Sequence, residues 1–283
     1  MLWRDGALSE DPRAPFDLGD RGLLLGDGVF DTALALNGRV AFAAAHRDRL
    51  VAAAAALGFT VEPARIDQAM RALAAQFPQA AIRTTVTRGS GPRGLKPPAE
   101  PRPTLFASAG PLAPGLAGAP LRLWPTQIRR NDTAPTARLK TLGYLDAVLA
   151  AREAAEHGFD EALFRNTKDA VACGGTGNLF AILDGRLVTP PLTDGVLDGI
   201  VRAEILRLAP ACALACQERS LTLDTLLRAD AVFLTNSLRL LAPVEAIGAT
   251  VLASAAHPAV ASLARALRAR VAAACEVAVE TIP

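Results

Sequence analysis

From Pro111 to Pro120 the chain reads P-L-A-P-G-L-A-G-A-P, and its density of Pro and Gly denies that stretch a helix or a strand. It therefore reads as an interdomain connection that divides the 283 residues into two bodies, each long enough to bury its own core. The expected boundaries are a smaller N-terminal α/β domain over 1–112, a connection over 113–120 and a larger C-terminal domain over 121–283. In the first half, an apolar run meets Asn37–Gly38, a two-residue hairpin signal. Helices are predicted over about Ala43–Leu57 and Pro63–Phe77. The runs A-I-R-T-T-V-T-R-G-S-G and P-T-L-F-A-S-A-G read as strands around a Gly/Pro-rich loop, Gly89–Pro103.

The second half alternates in the same way. A helix is predicted from Leu139, then strands E-A-L-F-R, V-A-C-G-G and N-L-F-A-I-L, a hairpin at Asp184–Gly185 and a strand R-L-V-T-P. Further helices are expected at Gly199–Leu208, near Leu221–Ala229 and at about Pro258–Val277, with a strand A-V-F-L-T before the last. Two α+β domains meeting at a cleft is the expected architecture, and such clefts are where small molecules bind.

Charge narrows the partner classes. The formal net charge of +2 arises from 30 basic and 28 acidic residues scattered along the chain, with no basic stripe to follow a nucleic acid. The four cysteines, Cys173, Cys212, Cys216 and Cys275, are too few and too uneven for a disulfide framework. Cys212 and Cys216 could share a helix face, but without further ligands nearby no metal site is expected. The N-terminal M-L-W-R-D-G-A-L-S-E-D-P lacks the apolar core of a signal peptide, and the Ala-rich runs, such as Val51 to Leu57, are too short to span a membrane. A reducing cytoplasm, with neither nucleic acid nor membrane as partner, is the expectation.

Lysine is the scarce cation. Lys96, Lys140 and Lys168 stand against 27 Arg, and only an amine can lose its proton and form an imine with a carbonyl. Lys96 and Lys168 lie in turn-like contexts that suit solvated side chains, whereas Lys140 opens K-T-L-G-Y-L-D-A-V-L-A-A-R-E-A-A-E-H-G, a helical pattern ending at Gly158. That makes Lys140 a Schiff-base candidate beside the plain reading as a helix-start cation. An aldehyde cofactor carrying a phosphate would also need an anion site. The helix start at Gly199, Ile200 and Val201 offers backbone N–H groups, Arg49 in H-R-D-R-L a guanidinium and Thr235 a hydroxyl. Each alone is weak, since helix starts, surface arginines and strand-end threonines are common.

Order and spacing add what single residues lack. D-R-G-L-L-L-G-D-G-V-F-D-T, H-R-D-R-L, R-L-K-T-L-G-Y-L, N-L-F-A-I-L-D-G-R-L-V-T-P-P-L-T-D-G-V-L-D-G-I-V-R and V-F-L-T-N-S follow one another as in the class IV aminotransferases, and the likeness runs from about Asp5 to Val244. The sequence resembles these fold type IV pyridoxal-phosphate enzymes, which include branched-chain and D-amino acid aminotransferases and aminodeoxychorismate lyases. The resemblance implies a two-domain α+β fold like that of D-amino acid aminotransferase, with pyridoxal 5'-phosphate (PLP) in the interdomain cleft, a small-molecule amino substrate and a homodimer. It implies that Lys140 forms the Schiff base, that Arg49, the amides of Ile200 and Val201, and Thr235 hold the phosphate, and that Tyr144 lies near the ring and its phenolic oxygen.

Within the family, R-G-S-G-P-R-G-L at Arg88–Leu95 and the four-residue step from Lys140 to Tyr144 look most like the aminodeoxychorismate lyases. Phe30 and Leu95 stand where D-amino acid enzymes have a Tyr and a His, which leaves Arg93 for a substrate carboxylate, with Asn236 and Ser237 as a second anion contact. The main departure is Cys173, five residues before Asn178, where the family has a Glu that keeps the pyridine nitrogen protonated. A thiol there suits a reaction that asks less of the cofactor as an electron sink. It also fits a thiolate paired with the pyridinium, a PLP-binding homologue that has lost catalysis, or replacement of the Glu by Asp169 or Glu161. The expected activity is an aminodeoxychorismate lyase releasing pyruvate and forming 4-aminobenzoate; the alternative enzyme is a D-amino acid or branched-chain transaminase.

Overall fold

Period-2 runs in the first half pair into one antiparallel sheet. A computed structural model of the chain describes residues 1–11 and 13–282. It shows two compact units, 1–113 with 139–143 and 271–282, and 114–138 with 144–270. Two segments from beyond the Pro/Gly connection thus count with the first unit, so the chain does not divide once.

The first unit contains β1 (Leu2–Arg4), β2 (Ala7–Ser9), β3 (Gly28–Leu36), β4 (Arg39–Val40), β5 (Gln79–Thr87) and β6 (Thr104–Pro111), in the order β2-β1-β6-β5-β3-β4. Asn37 and Gly38 both take positive φ, 52° and 73°, which the two-residue turn between β3 and β4 requires. Alternate residues Val29, Ala33 and Ala35 of β3 and Ile82 and Val86 of β5 meet Leu50, Ala53 and Ala54 of α2 (Ala43–Ala56) and Ile66, Met70 and Leu73 of α3 (Pro63–Ala74). Helix α1 (Arg21–Leu25) precedes β3, capped by Asp20, whose carboxylate accepts from Gly22 N.

The predicted helix from Leu139 is corrected by this unit. β4 pairs only with Ala35 and Leu36, leaving the Gly28–Phe30 edge of β3 open. Residues 140–142 fill it: Phe30 N donates to Lys140 O at 2.9 Å, Leu142 N donates to Gly28 O at 3.1 Å, and Thr141 bridges Val29. Backbone groups spent on this edge cannot close helical turns, so α4 begins only at Leu145 and runs to Glu156.

The second unit holds β7 (Leu121–Arg130), β8 (Glu161–Asn166), β9 (Val171–Gly174), β10 (Asn178–Leu183), β11 (Arg186–Thr189), β12 (Ala215–Glu218), β13 (Ala231–Asn236), β14 (Leu240–Ile247) and β15 (Thr250–Val251). The path β12-β11-β10-β13-β14-β7-β8-β9 returns on itself because β9 also pairs with β10, which closes six strands into a ring. Leu121, Leu163, Leu179, Val232, Leu234 and Val244 fill one of its cores. Helices α5 (Ile200–Leu208) and α6 (Leu223–Leu227) follow, α6 being shorter than the expected 221–229. Helix α7 (Pro258–Cys275) passes from this unit into the first at Val271. Cys212 ends a 3-10 turn while Cys216 lies in β12, so the two do not share a helix as the spacing suggested. Among the described residues, no helix is long and apolar enough to cross a membrane.

Candidate active site

Lys140 owes its place to the extended segment beside β3. Its Nζ lies 4.5 Å from the centroid of the Phe30 ring, and the guanidinium of Arg83 stands 3.5 Å over the same ring. Phe30 is 5% exposed, so the ring gives the amine an apolar floor. The other two lysines are placed differently: Lys168 is 73% exposed at 3.4 Å from Asp132, and Lys96 lies in the exposed loop after β5.

Next to Phe30 along β3, Asp31 points to α2. Arg49 donates Nε–H to Asp31 Oδ2 at 2.8 Å and Nη2–H to Oδ1 at 2.9 Å, and His46 Nδ1 donates to Oδ1 at 2.7 Å. His46 and Arg49 are three residues apart and therefore share a face of α2. Burial by itself would raise the Asp31 carboxyl, but the hydrogen bonds and charges of His46 and Arg49 outweigh it and hold the pKa at about 2. One edge of the Arg49 guanidinium is thereby fixed in direction. Arg93 lies in the exposed loop that follows β5.

Three expected positions meet in the second unit. Asn178 on β10 pairs with Cys173 on β9 and with Thr235 on β13. Its Nδ2 donates to Leu197 O at 2.8 Å, and a Cβ on Gly199 would fall 1.9 Å from its Oδ1. Glycine at 199 thus lets the start of α5 close on Asn178. No side chain caps α5 there, so the first-turn amides of Ile200 and Val201 are without intrahelical partners. Thr235 is 1% exposed and its Oγ1 has no hydrogen-bond partner among the described residues. Asn236 and Ser237 follow at the half-buried end of β13, where Asn236 Nδ2 donates to Thr176 O at 3.3 Å. Tyr144 is half-buried at the N-cap of α4.

Cys173 sits in an apolar cluster with Ala150, Ala154, Ala162, Phe164 and Val196. Burial pushes its thiol pKa up; Arg130 pulls the other way, and Glu161 reinforces the rise. A raised pKa favours the protonated thiol over the thiolate. Arg130 stands over Phe164, the cross-strand partner of Cys173, with its Cζ 5.9 Å from the ring centroid. Its Nε is buried with no partner among the described residues. Of the two carboxylates close in sequence, Asp169 is 64% exposed and paired with Arg129 and Arg165. Glu161 is buried and accepts from Thr176 Oγ1 at 2.6 Å and Ala162 N at 3.0 Å.

A phosphate-bearing group fits what the second unit offers. An orphaned buried hydroxyl and an uncapped helix start are donors that an anion would satisfy. The sequence reading missed Asp31, His46 and Arg130. The shared helix face of His46 and Arg49 signals a common acidic partner, but Arg130 meets Cys173 across strands, and no local pattern announces that.

The model of the amino-transferase class IV family matches residues 28–247. A putative branched-chain-amino-acid aminotransferase of Methanocaldococcus jannaschii is 33% identical over 89% of this chain and 89% of its own length. The crystal structure of 4-amino-4-deoxychorismate lyase from Pseudomonas aeruginosa superposes with a TM-score of 0.84 at 32% identity, over 95% of this chain and 98% of that one. A hypothetical aminotransferase from Mycobacterium tuberculosis, solved in a PLP-bound form, shares the fold with a TM-score of 0.86 at 22% identity, over 96% of this chain and 99% of that one. An amine set on an aromatic floor, an anion-ready helix start and this likeness along most of the chain lead to one conclusion: the protein belongs to the class IV aminotransferases and is a PLP-dependent enzyme of fold type IV acting on small amino compounds.

Proposed function

We propose that the enzyme is a lyase of the aminodeoxychorismate type, releasing pyruvate and forming 4-aminobenzoate. The observation that supports this reading is Cys173, a buried thiol whose pKa is raised by burial, standing where the family resemblance puts a Glu that would keep the ring nitrogen protonated. An unprotonated ring withdraws electrons poorly, which handicaps transamination most. Elimination of pyruvate leaves an aromatic product, so part of its driving force lies in the substrate itself.

When bound, PLP would supply a carbonyl able to condense with an amine and a ring able to delocalise negative charge. Arg49, the Ile200 and Val201 amides and Thr235 Oγ1 are assigned to the phosphate, and the Tyr144 phenol to the neighbourhood of the ring oxygen. Lys140 Nζ takes the proton from the substrate carbon bearing the amine; the bond from the neighbouring ring carbon to the ether oxygen breaks, the three-carbon fragment leaves with that oxygen as enolpyruvate, and the proton is delivered to its methylene carbon to give pyruvate. Arg93 is assigned to a substrate carboxylate, Asn236 and Ser237 to a second anion contact, and Phe30 to the wall beside the substrate. The same reading takes the enzyme to be a cytoplasmic homodimer, with the exposed leucines of α1 as contact surface.

Pyruvate release from aminodeoxychorismate, followed in a coupled assay, tests the proposal. Turnover above a Lys140→Ala control is expected, and its absence would sink the lyase reading. The identity to a putative branched-chain aminotransferase favours amine transfer as the second reading. Conversion of the bound cofactor to its pyridoxamine form by a D- or branched-chain amino acid would support that instead.

A further inference from the structure

The loop after β5 carries Arg93, and its own side chains give it little to pack with. Residues 90–97 are exposed, Leu95 by 82%, and Gly94 takes a φ of +104°. Among the described residues, the hydrogen bonds that tie 94–96 to the rest of the first unit come from one side chain. Arg21, at the head of α1, donates Nη1–H to Gly94 O at 3.0 Å and Nη2–H to Leu95 O at 3.0 Å, with Lys96 O at 3.5 Å from Nη1.

Arg21 is itself held hard. It is 4% exposed, and its Nε donates to Asp27 Oδ2 at 2.8 Å. The same oxygen accepts from Nε of Arg88 at 2.7 Å, another 4% exposed guanidinium, whose Nη2 donates to Leu57 O at 2.6 Å at the end of α2. Gly91 packs so near that a Cβ there would lie 3.2 Å from Arg21 Cδ. Two buried arginines on one carboxylate is a costly arrangement for stability alone, because apolar packing of similar volume does as well or better. What it provides is direction: a planar fork with one edge fixed by Asp27 presents its remaining N–H groups to consecutive carbonyls.

We propose that Arg21 is the positioning residue of the substrate-recognition loop, pinning 94–96 so that Arg93 is presented at a fixed height to a carboxylate-bearing substrate. The proposal rests on the assignment of Arg93 to the substrate carboxylate. Arg21 is assigned an indirect role, acting through the backbone carbonyls of the loop that it holds.

Arg21→Lys keeps the charge beside Asp27 but cannot fork onto consecutive carbonyls, and Arg21→Met removes both functions. Both are compared with wild type as PLP-loaded protein. Trypsin cleavage at Arg93–Gly94, located by mass spectrometry, reads the anchoring without reference to activity. KM and kcat are read with aminodeoxychorismate, or with a D- or branched-chain amino acid if the wild type converts that instead. For Arg21→Lys, cleavage faster by about tenfold or more and a KM raised about tenfold, with kcat within about twofold and the bound-cofactor absorbance unchanged, are expected. Unchanged cleavage, or a kcat and cofactor content that fall together with a rising KM, overturns the proposal. Faster cleavage with unchanged KM overturns the positioning role. Arg93→Gln then separates the causes: if it too leaves KM unchanged, the assignment of Arg93 has failed, and if it raises KM, only the role of Arg21 has.

Discussion

His46 and Arg49 reach Asp31 from the same face of α2, and their joint effect makes this carboxylate a store of pH-dependent stability. Its folded pKa of about 2 lies below the ordinary 3.8. A depressed carboxylate stabilises the fold above its unfolded pKa, and that contribution is lost as pH falls from about 4 towards 2. The difference corresponds to about 2 kcal/mol. Urea unfolding of wild type and Asp31→Asn from pH 6 downward should show a stability gap that narrows over this window; a gap constant with pH would refute the assignment. Cys173 sets the second test at this scale. A carboxylate placed by Cys173→Glu would find the Arg130 guanidinium beside it, so the variant should fold despite its apolar surroundings. Half-reaction spectroscopy with an amino acid should then show cofactor conversion accelerated by about tenfold or more over wild type. No acceleration would mean that ring protonation is not what the thiol withholds.

Turns and amphipathic helices are local, and the sequence announces them; the start of α5 shows what is not. The Asn37–Gly38 and Asp184–Gly185 hairpins carry the positive φ that their residue types suit, and α2, α5 and α7 begin close to the expected residues. The requirement for Gly at 199 comes instead from Asn178, which occupies the space a side chain would need. Gly199→Ala should therefore cost about 1–3 kcal/mol and weaken PLP binding by displacing the first-turn amides. Gly110→Ala, with nothing within 4 Å of its Cβ, should stay within about 0.5 kcal/mol of wild type. Equal effects of the two in urea melts and PLP titrations would remove the packing argument. The Lys140 segment failed as a predicted helix for a related reason: its spacing is helical, but an open strand edge 110 residues earlier claims its backbone. Arg21 binds carbonyls 73 to 75 residues away, a distance at which sequence pattern carries no signal.

At the scale of the whole molecule, what burial leaves uncovered becomes informative. Leu23, Leu24 and Leu25 of α1 are 57%, 63% and 47% exposed, and Leu18 just before them is 76% exposed. In the other unit, Leu145, Val148 and Leu149 of α4 are 77%, 60% and 45% exposed, spaced three and four residues apart so that they share one helical face. Consecutive exposed leucines on a five-residue helix lie outside the core of their own unit, which is built mainly from β3, β5, β6, α2 and α3. Apolar surface gathered in this way is a protein-contact signature, and a second copy of the chain is the occupant that the homodimer reading requires. Sedimentation velocity of the wild type should accordingly give twice the chain mass. Leu24→Asp places a charge in the centre of the α1 patch without touching the buried core, and should shift the protein towards the monomer while circular dichroism stays unchanged. Leu149→Asp tests the α4 face in the same way. A wild type that sediments as a monomer across the micromolar range, or a Leu24→Asp variant that remains fully dimeric, would place the contact surface elsewhere.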